Sequence, residues 1–208
     1  MAFDIAAGKA HHTLVDAIWG YTQFVLDEQT QHVLTVCHRS GLYVWTRMPF
    51  GPAPAPAEMQ SYVARVFGSL RSRVTGLPFC TPLMDDIHIS SPTFRAHIDD
   101  VKLVCETAEA HGFEFKLKKG QFNWPELELW GCVCGKDGRK PQPRKITQLE
   151  NWPEPTCVED INSFLCFTNY LREFMPAEFV RYEVMLRPFR RKMAECGFFE
   201  RNREYRPG

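Results

Sequence analysis

Phe79-Cys-Thr-Pro-Leu-Met84-Asp85-Asp86-Ile-His-Ile-Ser-Ser91 is the stretch that decides the fold. An apolar run ends at Met84, two adjacent aspartates interrupt it, and Ile87-His88-Ile89-Ser90 resumes with the two-residue period of a strand. That order predicts strand, tight turn, strand, with Asp85 and Asp86 at the bend. An ionised carboxylate beside an apolar strand loses its water shell, and two side by side also repel each other. Such a pair persists where hydrogen-bond donors or a cation replace the lost shell. A divalent metal would serve, although paired aspartates are also ordinary turn residues.

Upstream, residues 3–10 read as a short helix and 12–18 as an apolar strand with a third carboxylate, Asp16, near its end. Residues 23–26, 32–36 and 41–46 are rich in β-branched and aromatic side chains and predict an antiparallel meander. Met48-Pro-Phe-Gly-Pro-Ala-Pro-Ala-Pro-Ala57 then feeds a helix whose Met59, Val63, Val66, Phe67 and Leu70 fall at helical spacing, with Pro56 in its first turn. Downstream, Phe94, Ile98, Val101, Val104, Cys105 and Ala108 mark a helical face over 93–110, capped by Thr93 and ended by Gly112. Residues 127–134 read as one more strand. The Gly-, Pro- and Lys/Arg-rich segment 135–143 marks a boundary, after which helices take over. Thr156 with Glu159 is a capping-box pattern ahead of Val158, Ile161, Phe164, Leu165 and Leu171, and a last helix is predicted over 177–192.

At 208 residues, 44% hydrophobic and 24% charged, the chain has the composition of a globular protein with a real core and not of a disordered one. No window approaches 18 consecutive apolar residues, and the first thirty residues carry Asp4, Lys9, His11, His12 and Asp16. Neither a membrane span nor a secretory leader is expected, which leaves an intracellular site, cytoplasm and nucleus not being distinguished. Lys plus Arg and Asp plus Glu both number 25, so net charge does not advertise a nucleic-acid partner; a slight positive excess lies in the second half. The eight cysteines contain no C-x-x-C and read as reduced, with Cys105 and Cys166 inside apolar helical patterns. Cys132 and Cys134 with His111 or Cys157 match no structural zinc spacing, so a cysteine-based metal module has little support.

The whole order of features resembles the reverse transcriptase of gypsy-like LTR retroelements, as a fragment of a Pol polyprotein. Val15-Asp16-Ala-Ile-Trp-Gly20-Tyr21-Thr-Gln23 is similar to that family's first catalytic motif, an aspartate followed four and five residues later by glycine and an aromatic. Gly41-Leu-Tyr43-Val-Trp45-Thr-Arg-Met48-Pro49-Phe50-Gly51, continuing to Ala55-Pro56-Ala57 and Gln60, resembles the second, and Leu83-Met84-Asp85-Asp86 the third. Residues 112–122, with Lys118 and Lys119, resemble the fourth, and Leu129-Trp130-Gly131-Cys132-Val133 the primer-gripping hairpin. Asp137-Gly138 through Pro141 and Pro143, then Asn151-Trp152-Pro153-Glu154-Pro155 and Ser163-Phe164-Leu165, resemble the start of the thumb.

The resemblance implies an α+β right-hand polymerase. A palm over 1–137, an antiparallel sheet with helices on one face, would carry a partial fingers insertion at about 24–53. A helical thumb and the start of a connection would fill 138–208. It further implies templated nucleotidyl transfer from deoxynucleoside triphosphates to a primer on an RNA or DNA template. Asp16 and Asp85 would hold two Mg²⁺ ions, with Mn²⁺ as a substitute, and Asp86 would add negative field; hard cations take oxygen ligands, which suits carboxylates. Tyr21 would pack under the sugar and exclude a 2′-hydroxyl, or simply fill the core. Phe50, Gly51 and Met84 would lie at the incoming nucleotide, and Pro56 and Gln60 on the template, or serve only as helix start and exposed polar residue. Lys119 would face the leaving pyrophosphate as general acid, or remain a solvated lysine. Trp130 and Gly131 would position the primer end, the tryptophan otherwise being core. Arg139, Lys140, Arg144, Lys145 and the basic stretch 187–192 would meet duplex phosphates, or form a solvated surface.

The chain departs from the pattern at Leu83, where the family has an aromatic, and at Pro52 and Pro54, which stiffen the loop and remove two backbone donors. Only 15 residues precede Asp16, where the family's fingers supply basic residues, so a truncated piece is expected. The alternative is a folded remnant that binds nucleic acid without turnover. No feature speaks to oligomeric state.

Overall fold

In the computed structural model, residues 2–195 are described, with side chains at 4–186 and at 188. The short helix α1 (Ala2–Ala6) ends before Gly8, whose φ of 75° suits glycine. The strand β1 (His11–Asp16) follows, starting one residue earlier than expected and ending at Asp16 itself. The predicted meander is only partly present. Residues Gly20–Gln23 form a 3₁₀ turn, and the next segment reaches a neighbour only through a single Val25–Arg47 bridge. Where a strand was expected over 32–36 the chain forms α2 (Glu28–Val33), because Asp27 accepts from the Thr30 amide at 3.0 Å and the Thr30 hydroxyl at 2.7 Å. Only β2 (Val36–His38) and β3 (Gly41–Tyr43) pair, as an exposed two-stranded hairpin.

The proline-rich turn leads into α3 (Ala55–Val66), with Pro56 in its first turn and Met59, Val63 and Val66 buried. The quoted hairpin is present as β4 (Cys80–Leu83) and β5 (Asp86–Ser91). Leu83 pairs with Asp86, so Met84 and Asp85 form a two-residue turn and Asp86 already belongs to the strand. Helix α4 (Phe94–Ala110) is capped by Thr93, whose hydroxyl accepts from the Ala96 amide at 3.3 Å, and Gly112 follows it at φ 61°. Its buried stripe is Ala96, His97, Asp100, Val104 and Ala108, whereas Phe94 and Ile98, predicted inward, are exposed. Cys105 and Cys166 are exposed too, and among the described residues Cys80, Cys132 and Cys134 are the buried cysteines.

After a 3₁₀ turn at Leu117–Lys119 come β6 (Gln121–Trp124), β7 (Glu126–Leu129) and β8 (Cys132–Gly135). Residues 127–134 are therefore a hairpin and not one strand. Trp130 and Gly131 make its turn with φ of 45° and 90°, the pair of positive values that a tight hairpin turn takes. The strand β9 (Gly138–Pro141) contains the division of the chain into two compact units, between Arg139 and Lys140.

In the first unit the main sheet runs β4–β5–β1–β6, and its three neighbouring pairs are antiparallel. One face carries Val15, Ile87 and Ile89 against Met59, Val63 and Phe67 of the α3 segment and Val104 and Ala108 of α4. On a separate core cluster, Ala6, Leu127, Leu129 and Cys134 pack with Leu14 and Trp130, so α1 and the β7–β8 hairpin contribute a second apolar layer. The architecture is α+β. The second unit holds α5 (Pro143–Glu150), α6 (Val158–Tyr170) and α7 (Phe179–Glu195). Helix α6 is capped one residue later than expected: Asp160 accepts from the amide and hydroxyl of Thr156 and from the Cys157 amide. Trp152 packs on Phe164 and Phe167 at 5.6 and 4.9 Å between ring centres.

Candidate active site

Strand register brings the carboxylates together. Asp16 is paired with Asp86 across β1 and β5, and the Ala17 amide donates to the Asp85 carbonyl at 2.7 Å, which draws the turn onto the end of β1. Opposed residues on antiparallel strands have Cα atoms about 5 Å apart, within reach of short side chains. Beyond β1, a bridge between Ala17 and Phe115 and an amide bond from Lys116 to the Asp16 carbonyl, 2.8 Å, lay residues 115 and 116 alongside. Asp16 thus stands between Asp86 and Lys116.

The electrostatics follow from that crowding. Burial, and then the charge of Asp16, raise the Asp85 carboxyl above its ordinary range. Asp86 is pushed up to about 6, by burial first, then by its hydrogen bond with Asp16 and the charges of Asp16 and Asp85. At neutral pH these acids face one another at a cost that a cation would relieve.

Three supports hold the arrangement. A Cβ on Gly20 would collide with Asp85 Oδ1 and approach Met59 Cε at 2.6 Å, so glycine lets the Asp85 carboxylate lie against the backbone. Met84 sits at φ 53°, a strained value for a side-chain-bearing residue, and its amide donates to Gln60 Oε1 at 2.8 Å while Gln60 Nε2 donates to the Pro82 carbonyl at 3.3 Å. Gln23 Nε2 donates to the carbonyls of Ile18 and Glu114, at 2.5 and 3.0 Å, and its Oε1 accepts from the Glu114 amide at 2.9 Å. It fastens the segment after Asp16 to the one leading to Lys116.

Asp16 and Asp85 line an open pocket of about 520 Å³ together with Trp19, Phe50, Lys116 and Lys119. Of the other residues singled out in the sequence, Tyr21 packs edge-on against Phe50 at 5.0 Å and against the core, and Gly51 follows at φ 113°. Pro56 is exposed at the start of α3. Gln60, expected on the template, has both ends of its amide engaged by the β4–β5 hairpin. Trp130 packs against the second core cluster, with its ring edge-on to His88 at 6.4 Å. Lys145 lies over the rings of Phe167 and Tyr170 at 5.2 and 5.5 Å, and Arg144 donates to Gln142 at 3.0 Å. The side chains expected to bind phosphate at 187 and 189–192 lie outside the described residues.

Among the described residues no three His, Cys, Asp or Glu side chains form a preset metal cage. Two oxygen-donor carboxylates on an open pocket nevertheless fit a hard divalent ion such as Mg²⁺, which is commonly held by one or two carboxylates while substrate phosphates complete the shell.

A buried polar network went unread in the sequence. The Asn123 amide donates to Thr13 Oγ1 at 3.1 Å, Thr13 meets His97 Nε2 at 2.7 Å, His97 Nδ1 meets Ser91 Oγ at 3.0 Å, and Ser91 donates to Asp100 Oδ2 at 2.7 Å. Ser91 gives its proton to Asp100 and so accepts from His97 Nδ1; with His97 held neutral by burial, Thr13 then donates to its Nε2. His12 stacks on His88, their ring nitrogens 3.1 Å apart. Burial depresses both His88, to about 3, and His97, to about 4. The sequence signal was His88 between Ile87 and Ile89 and His97 between Ala96 and Ile98, whereas His12 lies between His11 and Thr13.

Known proteins bear on this geometry. A foamy viral protease-reverse transcriptase in complex with double-stranded DNA has the same fold, at a TM-score of 0.72 and 19% identity over 94% of this chain and 33% of that one. A second structure of that protein, in complex with an RNA/DNA hybrid, aligns with a TM-score of 0.63 and 20% identity over 82% of this chain and 23% of that one. The palm-type polymerase fold is therefore that of this chain. The retrovirus-related Pol polyproteins of transposons 297 and gypsy from Drosophila melanogaster are 31% and 29% identical to it over 81% of its length, and it spans 16% of each. No described helix is long and apolar enough to cross a membrane. The family model for reverse transcriptase (RNA-dependent DNA polymerase) matches residues 4–148, and the chain belongs to that family.

Proposed function

We propose that this chain is the catalytic part of an RNA-directed DNA polymerase, which adds deoxynucleotides to a primer on an RNA or DNA template. One observation carries the reading: the register that sets Asp16 opposite Asp86 and beside Asp85, at a pocket open to solvent. Residues 1–137 are the palm, with a fingers insertion at about 24–53, and 138–208 the thumb and start of the connection; the change of unit between Arg139 and Lys140 supports this division.

Divalent metals belong to the family's chemistry, and Asp16, Asp85 and Asp86 are the residues that would hold Mg²⁺, as two ions, or Mn²⁺ in its place. Bound there, the metal lowers the pKa of the primer 3′-hydroxyl and neutralises the leaving pyrophosphate. The chain's own residues do the rest. Asp86 shares a hydrogen bond with Asp16 and so governs when that acid is available as a ligand. Tyr21, braced on Phe50, forms the floor under the sugar and rejects a 2′-hydroxyl, while Phe50, Gly51 and Met84 border the incoming nucleotide. Lys119 delivers a proton to the departing pyrophosphate. Pro56 borders the template, Gln60 holds the Asp85 turn in place, and the Trp130–Gly131 turn supports the primer end.

The test is oligo(dT) extension on poly(A) with and without Mg²⁺. Extension should vanish with chelator and fall in Asp85→Asn by more than the roughly 100-fold that losing a supporting partner costs at metal sites. Equal extension by the variant overturns the assignment.

A further inference from the structure

Lys119 was expected at the pocket, but Lys116 was not, and it holds the more constrained position. Its amide is bonded to the Asp16 carbonyl at 2.8 Å, and Gln23 clamps residue 114 just before it. Its backbone is thus tied to the strand end that presents Asp16, and Lys116, like Lys119, lines the same pocket as Asp16 and Asp85. Lys118, between them in the chain, is not part of the lining. Some exposed cations elsewhere have carboxylate partners, as Arg73 with Glu106 at 2.8 Å and Lys102 with Glu106 at 3.7 Å. Among the described residues neither Lys116 nor Lys119 forms an ion pair, although two carboxylates line the same cavity. The pocket is therefore lined by two acids and two lysines, a combination suited to a polyanion bearing its own cations.

We infer that Lys116 is a second anion-binding residue of this site, gripping the polyphosphate of the incoming nucleotide together with Lys119. The inference rests on the polymerase reading. An ammonium on a phosphate makes a charge-assisted hydrogen bond, stronger than a neutral one and lost when the charge goes. It supplies, from the segment bridged to the end of β1, the kind of positive charge that the family carries in front of its first catalytic aspartate.

The measurement is the dissociation constant of dTTP on a complex of the chain with poly(A) and a chain-terminated oligo(dT) primer, in Mg²⁺, for the unchanged chain and for Lys116→Gln, Lys116→Arg and Lys118→Gln. Because the primer cannot be extended, the readout is binding and not turnover. Lys116→Gln should weaken dTTP about tenfold, Lys116→Arg should restore most of it, and Lys118→Gln should bind as the unchanged chain does. Unaltered binding in Lys116→Gln, or an equal loss in Lys118→Gln, overturns the inference while leaving the polymerase reading intact. Weak binding in Lys116→Gln that Lys116→Arg fails to restore also overturns it, by assigning Lys116 to the fold. Absence of Mg²⁺-dependent dTTP binding by the unchanged chain removes the polymerase reading itself.

Discussion

A single missing side chain shapes the acidic cluster. Gly20 is buried with Asp85 against it, and any Cβ there must displace either the carboxylate or Met59 at the heart of α3 packing. Gly20→Ala is therefore expected to cost about 1–3 kcal/mol in urea denaturation, the usual range for overpacking, and to lower primer extension further than that loss explains, because the group it displaces is one of the proposed ligands. Normal extension by a destabilised variant would separate Gly20 from the chemistry. At this scale the sequence was legible where the pattern is local. Asp16, Asp85 and Gly20 lie in short motifs, and the alternation around them fixes which residues pair. Lys116 was not, since its place depends on an isolated bridge between residues 17 and 115, and no periodicity encodes a contact of that separation. The hold of Gln60 on the Met84 turn was hidden for a related reason. An amide on an exposed-looking helix position can reach a strained turn 24 residues away only once α3 is laid against β4.

Elements divide the same way. Helix α4 and the β4–β5 hairpin were readable from period and caps, but the inward face of α4 was not, because His97 and Asp100 occupy it with their hydrogen bonds supplied by Ser91 and Thr13. Hydrophobicity alone assigns such a stripe to solvent. Helix α2 defeated the strand reading because one capping carboxylate at Asp27 outweighed the β-branched content after it. The β7–β8 hairpin was hidden by a continuous apolar run whose turn consists of Trp130 and Gly131, both at positive φ. That turn makes its own prediction. Gly131→Val puts a β-branched residue at φ 90° and should cost about 1–2 kcal/mol, with hydrogen exchange quickening at Leu129 and Cys132 before the main sheet responds. Uniform quickening over β1 and β5 would mean that the hairpin is not a separable layer.

For the whole molecule, net charge says little, 25 of each sign, yet the response to pH is written into the core. His88 and His97 are held neutral, near 3 and 4 against an ordinary 6.5, both by burial first and then by neighbouring histidines; His12 is lowered as well. The unfolded chain therefore binds protons at these residues that the folded one refuses, so the stability they confer is complete above about pH 6.5 and is lost as pH falls through 6.5 toward 4. Asp85 and Asp86 work in the other sense. Both are raised, Asp86 to about 6, so the folded chain takes protons first and acidification relieves their repulsion. The buried histidines outweigh them because His88 and His97 are almost wholly enclosed, while Asp85 is open to solvent. Each fully effective histidine contributes a slope of about 1.4 kcal/mol per pH unit, so unfolding free energy should drop by roughly 2 kcal/mol between pH 6 and 5. Urea denaturation across pH 4.5–8, in the unchanged chain and in a His88→Gln/His97→Gln double variant, checks this. The variant starts from lower stability at pH 8; its curve against pH should nonetheless be flatter, since the slope counts protons and is indifferent to packing lost at every pH. Two parallel curves would mean that these histidines already carry protons in the folded state, and the one-way chain of hydrogen bonds from Asn123 to Asp100 would then have to be redrawn.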